Sequence, residues 1–245
     1  MANEIAIWDK VLTSALNIPG TTVDRKTFLK TELSAYCSTD NIDEVVENPT
    51  KFVNIKILDK IADACIKNHC RMATAVSFVT GLPGGWGMLA AIPADMAQYY
   101  GHILVLAQKL AYIYGIPSLT DEQGKLNENA RDILTVFVGV MMGAEMANAV
   151  VKNICKDLAI QAAKRIPRIG LMKTTFYPVI KEVCKWIGKK MTTKGFGQIV
   201  GKAIPIIGGI ISAGITAASF IPSAKRLKNK LKEQIADIQD ATNAS

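Results

Sequence analysis

The strongest constraint on this chain is a run of 23 uncharged residues, Met72 to Ala94, interrupted by Gly81-Leu-Pro-Gly-Gly-Trp-Gly87. Each half is apolar enough for a buried helix. The centre is not regular helix, because Pro83 has no N–H to donate and Gly81, Gly84 and Gly85 favour turn geometry. The stretch reads as two apolar helices joined by a backbone-rich corner, with Pro93 and Asp95 opening the second. A further run of 22 uncharged residues, Ala203 to Ala224, holds Gly208 and Gly209 and is flanked by Lys202 and by Lys225-Arg226.

The rest of the chain reads as helices arranged around these runs. Ala2 to Leu16 is amphipathic. Asp24 is placed to cap a helix through Cys37, with Phe28, Leu29, Leu33 and Tyr36 on one face. Asp40 to Glu47 is a short acidic helix. Thr50 is expected to cap a long helix in which Phe52, Ile55, Leu58, Ile61, Cys65 and Met72 recur at helical spacing. Gly115, followed by Ile116-Pro117, stops the helix after the corner. Ser118 to Glu128 is a polar connection. Asn129 to Ile166 reads as helix for most of its length, and Gly139, Gly143 and Ala147 would let another backbone approach it closely. A basic helix lies within 173–191, and Lys225 to Gln239 is helical, with Leu227, Leu231, Ile235 and Ile238 on one face. No segment alternates with period two. The expected fold is all-α, a helical bundle built around two apolar, glycine-broken hairpins. Residues 1–48 form an N-terminal helical extension, 49–240 the main domain and 241–245 a disordered tail.

Both uncharged runs are long enough, at about 1.5 Å per residue, to cross a ~30 Å hydrocarbon layer. The first would expose its corner backbone at mid-depth, at several kcal/mol per unpaired group. The second holds seven Ile and one Phe, together worth about −4 kcal/mol at the bilayer centre, eroded by its Pro, Gly, Ser and Thr residues. Buried helices of a bundle are the expectation, with membrane insertion as the alternative.

Charge is distributed unevenly. Residues 1–150 carry 12 basic and 16 acidic side chains, whereas 151–230 carry 16 basic and 2 acidic. Such a segment attracts a polyanion: an anionic bilayer, nucleic acid or an acidic protein. Lys173, Lys181, Lys185 and Lys189 share a stripe beside Tyr177 and Trp186, the pattern of a helix lying on a membrane surface. Lys164, Arg165 and Arg168 precede the stripe, Lys190 and Lys194 extend it, and Lys225 and Arg226 form a smaller second group. Nucleic acid is disfavoured, because stacking aromatics are sparse and no recognised motif is present.

Motifs for chemistry are weak. Asp95 and His102 share a helix face, so they could serve acid–base work; equally, Asp95 could cap its helix or bond the corner N–H groups. The corner N–H groups could themselves hold an anion such as a lipid phosphate, or simply permit close packing. Cys65 and His69 have a workable ligand spacing, but structural zinc needs four ligands and no second pair is present. Gly195 to Ala203 fails as a phosphate loop: five residues, not four, separate Gly195 from Gly201, and Ala203 stands where Ser or Thr is needed. No metal and no cofactor are expected. The five cysteines are scattered and odd in number, which suits buried thiols in a reducing compartment. MANEIAIWDK has no basic segment leading into an apolar one, so the protein is expected to be cytoplasmic.

Gly81-Leu-Pro-Gly-Gly85, Ala91-Ile-Pro-Ala-Asp95, Gln108-Lys-Leu-Ala-Tyr-Ile-Tyr-Gly115 and the later Ile204-Pro-Ile-Ile-Gly-Gly209 together resemble the EcsC family of bacterial proteins. The resemblance runs from about residue 50 to 232. It implies a cytoplasmic protein linked to membranes or transport, with a membrane transporter among its candidate partners, and no established activity. Members often place an Asn after the later glycines, where this chain has Ile215-Thr216.

The expected function is peripheral binding to anionic lipid at the inner face of the cell membrane, through 164–194 and 225–232, with room for an acyl chain between the apolar helices. A membrane-inserting, permeabilising effector is the runner-up. An enzyme using Asp95 and His102 comes third.

Overall fold

A computed structural model describes residues 2–79, 94–164 apart from 122 and 127, 177–192 and 218–235. The helices are α1 (Ala2–Leu16), α2 (Arg25–Leu33), α3 (Ile42–Glu47), α4 (Pro49–Phe52), α5 (Ile55–Val79), α6 (Ala94–Ile113), α7 (Glu128–Met142), α8 (Glu145–Lys164), α9 (Tyr177–Thr192) and α10 (218–235). No strand occurs among the described residues, where Thr120 and Leu126 form an isolated antiparallel bridge. The protein is all-α.

Helix α6 is the axis of the bundle. From Ile103 to Ile113 every residue but Gln108 and Lys109 is apolar, and every one but Lys109 is buried, as a helix apolar on nearly all sides must be. Helix α5 runs antiparallel to it. Asp59 of α5 meets Tyr114 near the end of α6, while His69, ten residues further along α5, faces His102, twelve residues back along α6. The glycine corner between these helices, with Gly81, Pro83, Gly84, Gly85 and Pro93, lies outside the described residues, as do Gly208 and Gly209.

Helix α1 has the limits its amphipathic pattern predicts. It lays Trp8, Val11, Leu12 and Ala15 into the core, against α6 and α9. The loop after it is tied down by two buried polar side chains. Gln108 of α6 donates to the Thr21 carbonyl at 2.8 Å and accepts from the Val23 N–H at 3.1 Å. Arg25 donates to the carbonyls of Ile116, at 2.9 Å, and Glu47, at 3.2 Å.

Several local expectations need correction. The helix begun at Asp24, whose carboxylate accepts from Thr27 N–H at 2.7 Å, ends at Leu33 and does not reach Cys37. Tyr36 therefore falls off the buried face and is exposed. Thr50 does not cap the long helix. A separate short turn, α4, intervenes, and Asn54 caps α5 by accepting from Lys56 N–H at 2.9 Å. Of the expected stripe, Leu58, Ile61 and Cys65 are buried, whereas Phe52, Ile55 and Met72 are exposed; Ala62, Ile66, His69, Cys70 and Ala73 complete the buried face.

The expected helix from Asn129 to Ile166 is broken at Gly143, whose φ of +83° is the left-handed conformation that glycine tolerates. Ala144 N–H returns to the Gly139 carbonyl at 2.8 Å and Gly143 N–H to Val140 at 3.0 Å, a Schellman ending. The chain then reverses into α8, which packs on α7. Gly139 does admit close neighbours: a Cβ there would meet the Val183 side chain of α9 and Ala147 of α8. Helix α6 ends in the same way. Gly115 has φ +81° and Ile116 N–H bonds the Ala111 carbonyl at 2.9 Å, so the stop expected at Gly115 is present.

Candidate functional site

Helix α9 divides its side chains by spacing. Ile180, Val183, Ile187 and Met191, at intervals of three and four, are buried against α1, α7 and α8. Gly188 lies on the same side, where the α1 backbone crosses so closely that a Cβ would run into the Glu4 carbonyl. The apolar face is thus fixed inward, and the register forces the lysines outward.

On the outer face Tyr177 is 48% exposed, and Lys181, Lys189 and Lys190 are exposed. Lys185 and Trp186 are half-buried at its margin. The Lys181 ammonium sits 4.7 Å from the Tyr177 ring centroid and Lys190 4.8 Å from that of Trp186. Each cation lies against an aromatic ring, so charge and amphipathic ring share one surface. Glu182 is the acidic residue of this helix, 3.6 Å from Lys185. Lys164 ends α8, but its side chain is outside the described residues, as are Arg165, Arg168, Lys173 and Lys194.

The second cationic group lies on α10, where Arg226 and the lysines that follow it are engaged within the protein. Lys225 is exposed. Arg226 donates to the Met141 carbonyl at 3.2 Å, at the C-terminal end of α7, where cations are favoured. Lys228, 8% exposed, lies 2.8 Å from Asp63 and 3.9 Å from Asp59 of α5. Lys232 bonds Asp59 at 2.5 Å, and the Tyr114 hydroxyl donates to the other Asp59 oxygen at 2.6 Å. Burial pushes the Asp59 carboxyl up, but the hydrogen bonds from Lys232 and Tyr114 and the charge of Lys228 outweigh it, leaving Asp59 below the ordinary carboxylate value. Sequence reasoning missed this network. The signal was present as two matched pairs: Asp59 and Asp63 at i, i+4 on one helix, and Lys228 and Lys232 at i, i+4 on another.

The chemistry-bearing candidates are placed as follows. His102 is half-buried, with its ring centroid 5.9 Å from that of His69. The side chain of Asp95 is outside the described residues, so the Asp95–His102 pairing is too. His69 is 4% exposed, and neither ring nitrogen has a hydrogen-bond partner. Burial, with the charges of Lys109 and His102, lowers its pKa to about 3. Burial raises Cys65 to about 11 and Cys155 and Cys184 to about 12, so these are thiols, not nucleophilic thiolates, at neutral pH. Among the described residues no three His, Cys, Asp or Glu side chains converge as metal ligands. None of the described helices is long and apolar enough to cross a membrane. The chain matches no protein-family model, no curated protein and no solved structure.

Proposed function

We propose that the protein is a peripheral membrane protein that binds anionic lipid at the inner face of the cell membrane, with the outer face of α9 as its contact surface. The observation that carries this reading is the division of α9: an inward face locked by Val183 and Ile187, and an outward face pairing Lys181 with Tyr177 and Lys190 with Trp186. Interfacial aromatic rings and lysines are the two side-chain types that a headgroup layer favours together. Each lysine near an anionic surface adds about 1 kcal/mol, so a group of four would hold the protein reversibly. The EcsC-like blocks support the same address.

The test is flotation of the protein with vesicles, anionic against neutral, followed by a high-salt wash. Anionic-specific flotation that salt reverses is expected, because the attraction is screened. Charge reversal of Lys181, Lys185 and Lys189 should abolish it; flotation unchanged by that variant refutes the reading. Salt-resistant flotation with dye leakage would replace it by the inserting effector, in which residues 72–94 and 203–224 enter the bilayer.

A further inference from the structure

Helix α10 has the composition of a membrane-surface helix and the contacts of a concealed one. It carries Lys225, Arg226, Lys228, Lys230 and Lys232 against a single acidic residue, Glu233. Its apolar side, Phe220, Ala224, Leu227 and Leu231, is buried. Four of its five cations have acceptors inside the molecule. Arg226 is held by the Met141 carbonyl, Lys228 by Asp63 and Asp59, Lys232 by Asp59, and Lys230 by Glu233 at 2.9 Å. An amphipathic helix with this charge binds anionic interfaces when it is free. Docked on α5, it keeps its apolar side covered and its Lys228 and Lys232 engaged by Asp59 and Asp63, while Lys225 and Arg226 stay exposed.

We propose that α10 is a latched membrane anchor: the Asp59 and Asp63 carboxylates of α5 hold Lys228 and Lys232, and anionic lipid competes for those lysines, so that release of α10 exposes a second membrane-binding element. This rests on the reading that the protein works at anionic lipid, and it adds to that reading a means of control. Two features make the latch sensitive. Lys228 is nearly excluded from water, so it needs its carboxylate partners to remain docked. Asp59 carries one end of both lysine contacts, so one side chain joins the whole set. The described part of the helix, from residue 218, includes the last residues of the uncharged run Ala203 to Ala224, so the latch also anchors the end of that apolar segment.

The experiment uses the full chain. Hydrogen exchange of residues 218–235 is measured in solution without lipid, for the wild type, for Asp59→Asn/Asp63→Asn, and for the milder Asp63→Asn. Glu233→Gln is the control, because it removes a carboxylate that lies on α10 itself. Exchange in 218–235 should rise at least tenfold in the double variant and by less in the single variant. Protection in α7 and α9 should be kept, which separates unlatching from unfolding, and the control should match the wild type. Flotation with phosphatidylglycerol vesicles at limiting lipid should then rise several-fold in the double variant and persist when Lys181, Lys185 and Lys189 are reversed. Unchanged exchange in 218–235 overturns the latch. Raised exchange with no gain in flotation overturns the anchor, whatever the wild type does. A wild type that does not float beside a double variant that does would refute the α9 surface and support α10.

Discussion

The indole of Trp8 and the hydroxyl of Thr135 meet across 127 residues of sequence, Nε1 donating to Oγ1 over 3.0 Å in a site closed to solvent. The same indole packs edge-on against Tyr100, with ring centroids 5.6 Å apart. One side chain of the first helix is therefore clamped by α6 and α7 together. Thr135→Val keeps the shape and leaves the indole N–H unpaired, so it should cost about 1–3 kcal/mol in urea unfolding. Thr135→Ser keeps the hydroxyl and removes one methyl, at about 1 kcal/mol. Equal losses from the two variants would mean that the hydrogen bond contributes nothing.

Gln108 is fully buried on α6, with its amide spent on Thr21, Val23 and Leu104. Gln108→Met preserves the volume but strands the Thr21 carbonyl and the Val23 N–H. A loss of at least about 2 kcal/mol is expected. Limited proteolysis should then cut between residues 17 and 24, because this amide is what holds that loop to α6. A variant that stays resistant there would show that the loop is held by other contacts.

Two glycines should respond differently to alanine. At Gly188 the obstacle is the α1 backbone, which cannot rotate away as a flexible side chain would. Gly188→Ala must push α1 off α9, at about 1–3 kcal/mol or more for overpacking, and hydrogen exchange should rise in α1. Gly124 has open space around its Cβ position but a φ of +74°. Gly124→Ala should cost only the left-handed backbone term, about 1 kcal/mol, with no change in α1 exchange.

His69 makes stability depend on pH in a defined window. Its folded pKa, about 3, lies below the usual value of 6.5, because burial disfavours the imidazolium. Below pH 6.5 the unfolded chain takes up a proton that the folded chain refuses. The contribution of His69 is therefore complete above about pH 6.5 and declines as pH falls towards 3, at up to about 1.4 kcal/mol per pH unit. His102 is lowered by burial in the same direction and adds to the decline. Urea unfolding between pH 7 and 5 should show this slope in the wild type, and His69→Phe should reduce it by about one proton. An undiminished slope in that variant would place the proton uptake elsewhere.

The α9 face was legible in the sequence because it is a matter of period: once Ile180, Val183, Ile187 and Met191 turn inward, the geometry of 3.6 residues per turn sends Lys181 and Lys189 outward. The ends of α1 and α6 were legible for a similar reason, since Gly115 and Pro117 act through the backbone beside them. The break at Gly143 was misread as part of a packing row. Gly, Ala and a helix-forming context suit both a close contact and a left-handed ending, and only Ala144 N–H reaching the Gly139 carbonyl separates the two.

Alone, then, the sequence determined the all-α class, the inward and outward faces of α1 and α9, and the concentration of cations after residue 150, because each follows from neighbours within a few turns. Tertiary structure alone decided which cations are engaged. Lys228 and Lys232 read like any other lysines in a basic tail until Asp59 and Asp63, about 170 residues earlier, are set beside them. It also decided that Gln108, Arg25 and His69 are interior groups. Helix periodicity places a side chain on a face, but what lies against that face depends on how distant helices cross, and that is settled by packing across the whole core.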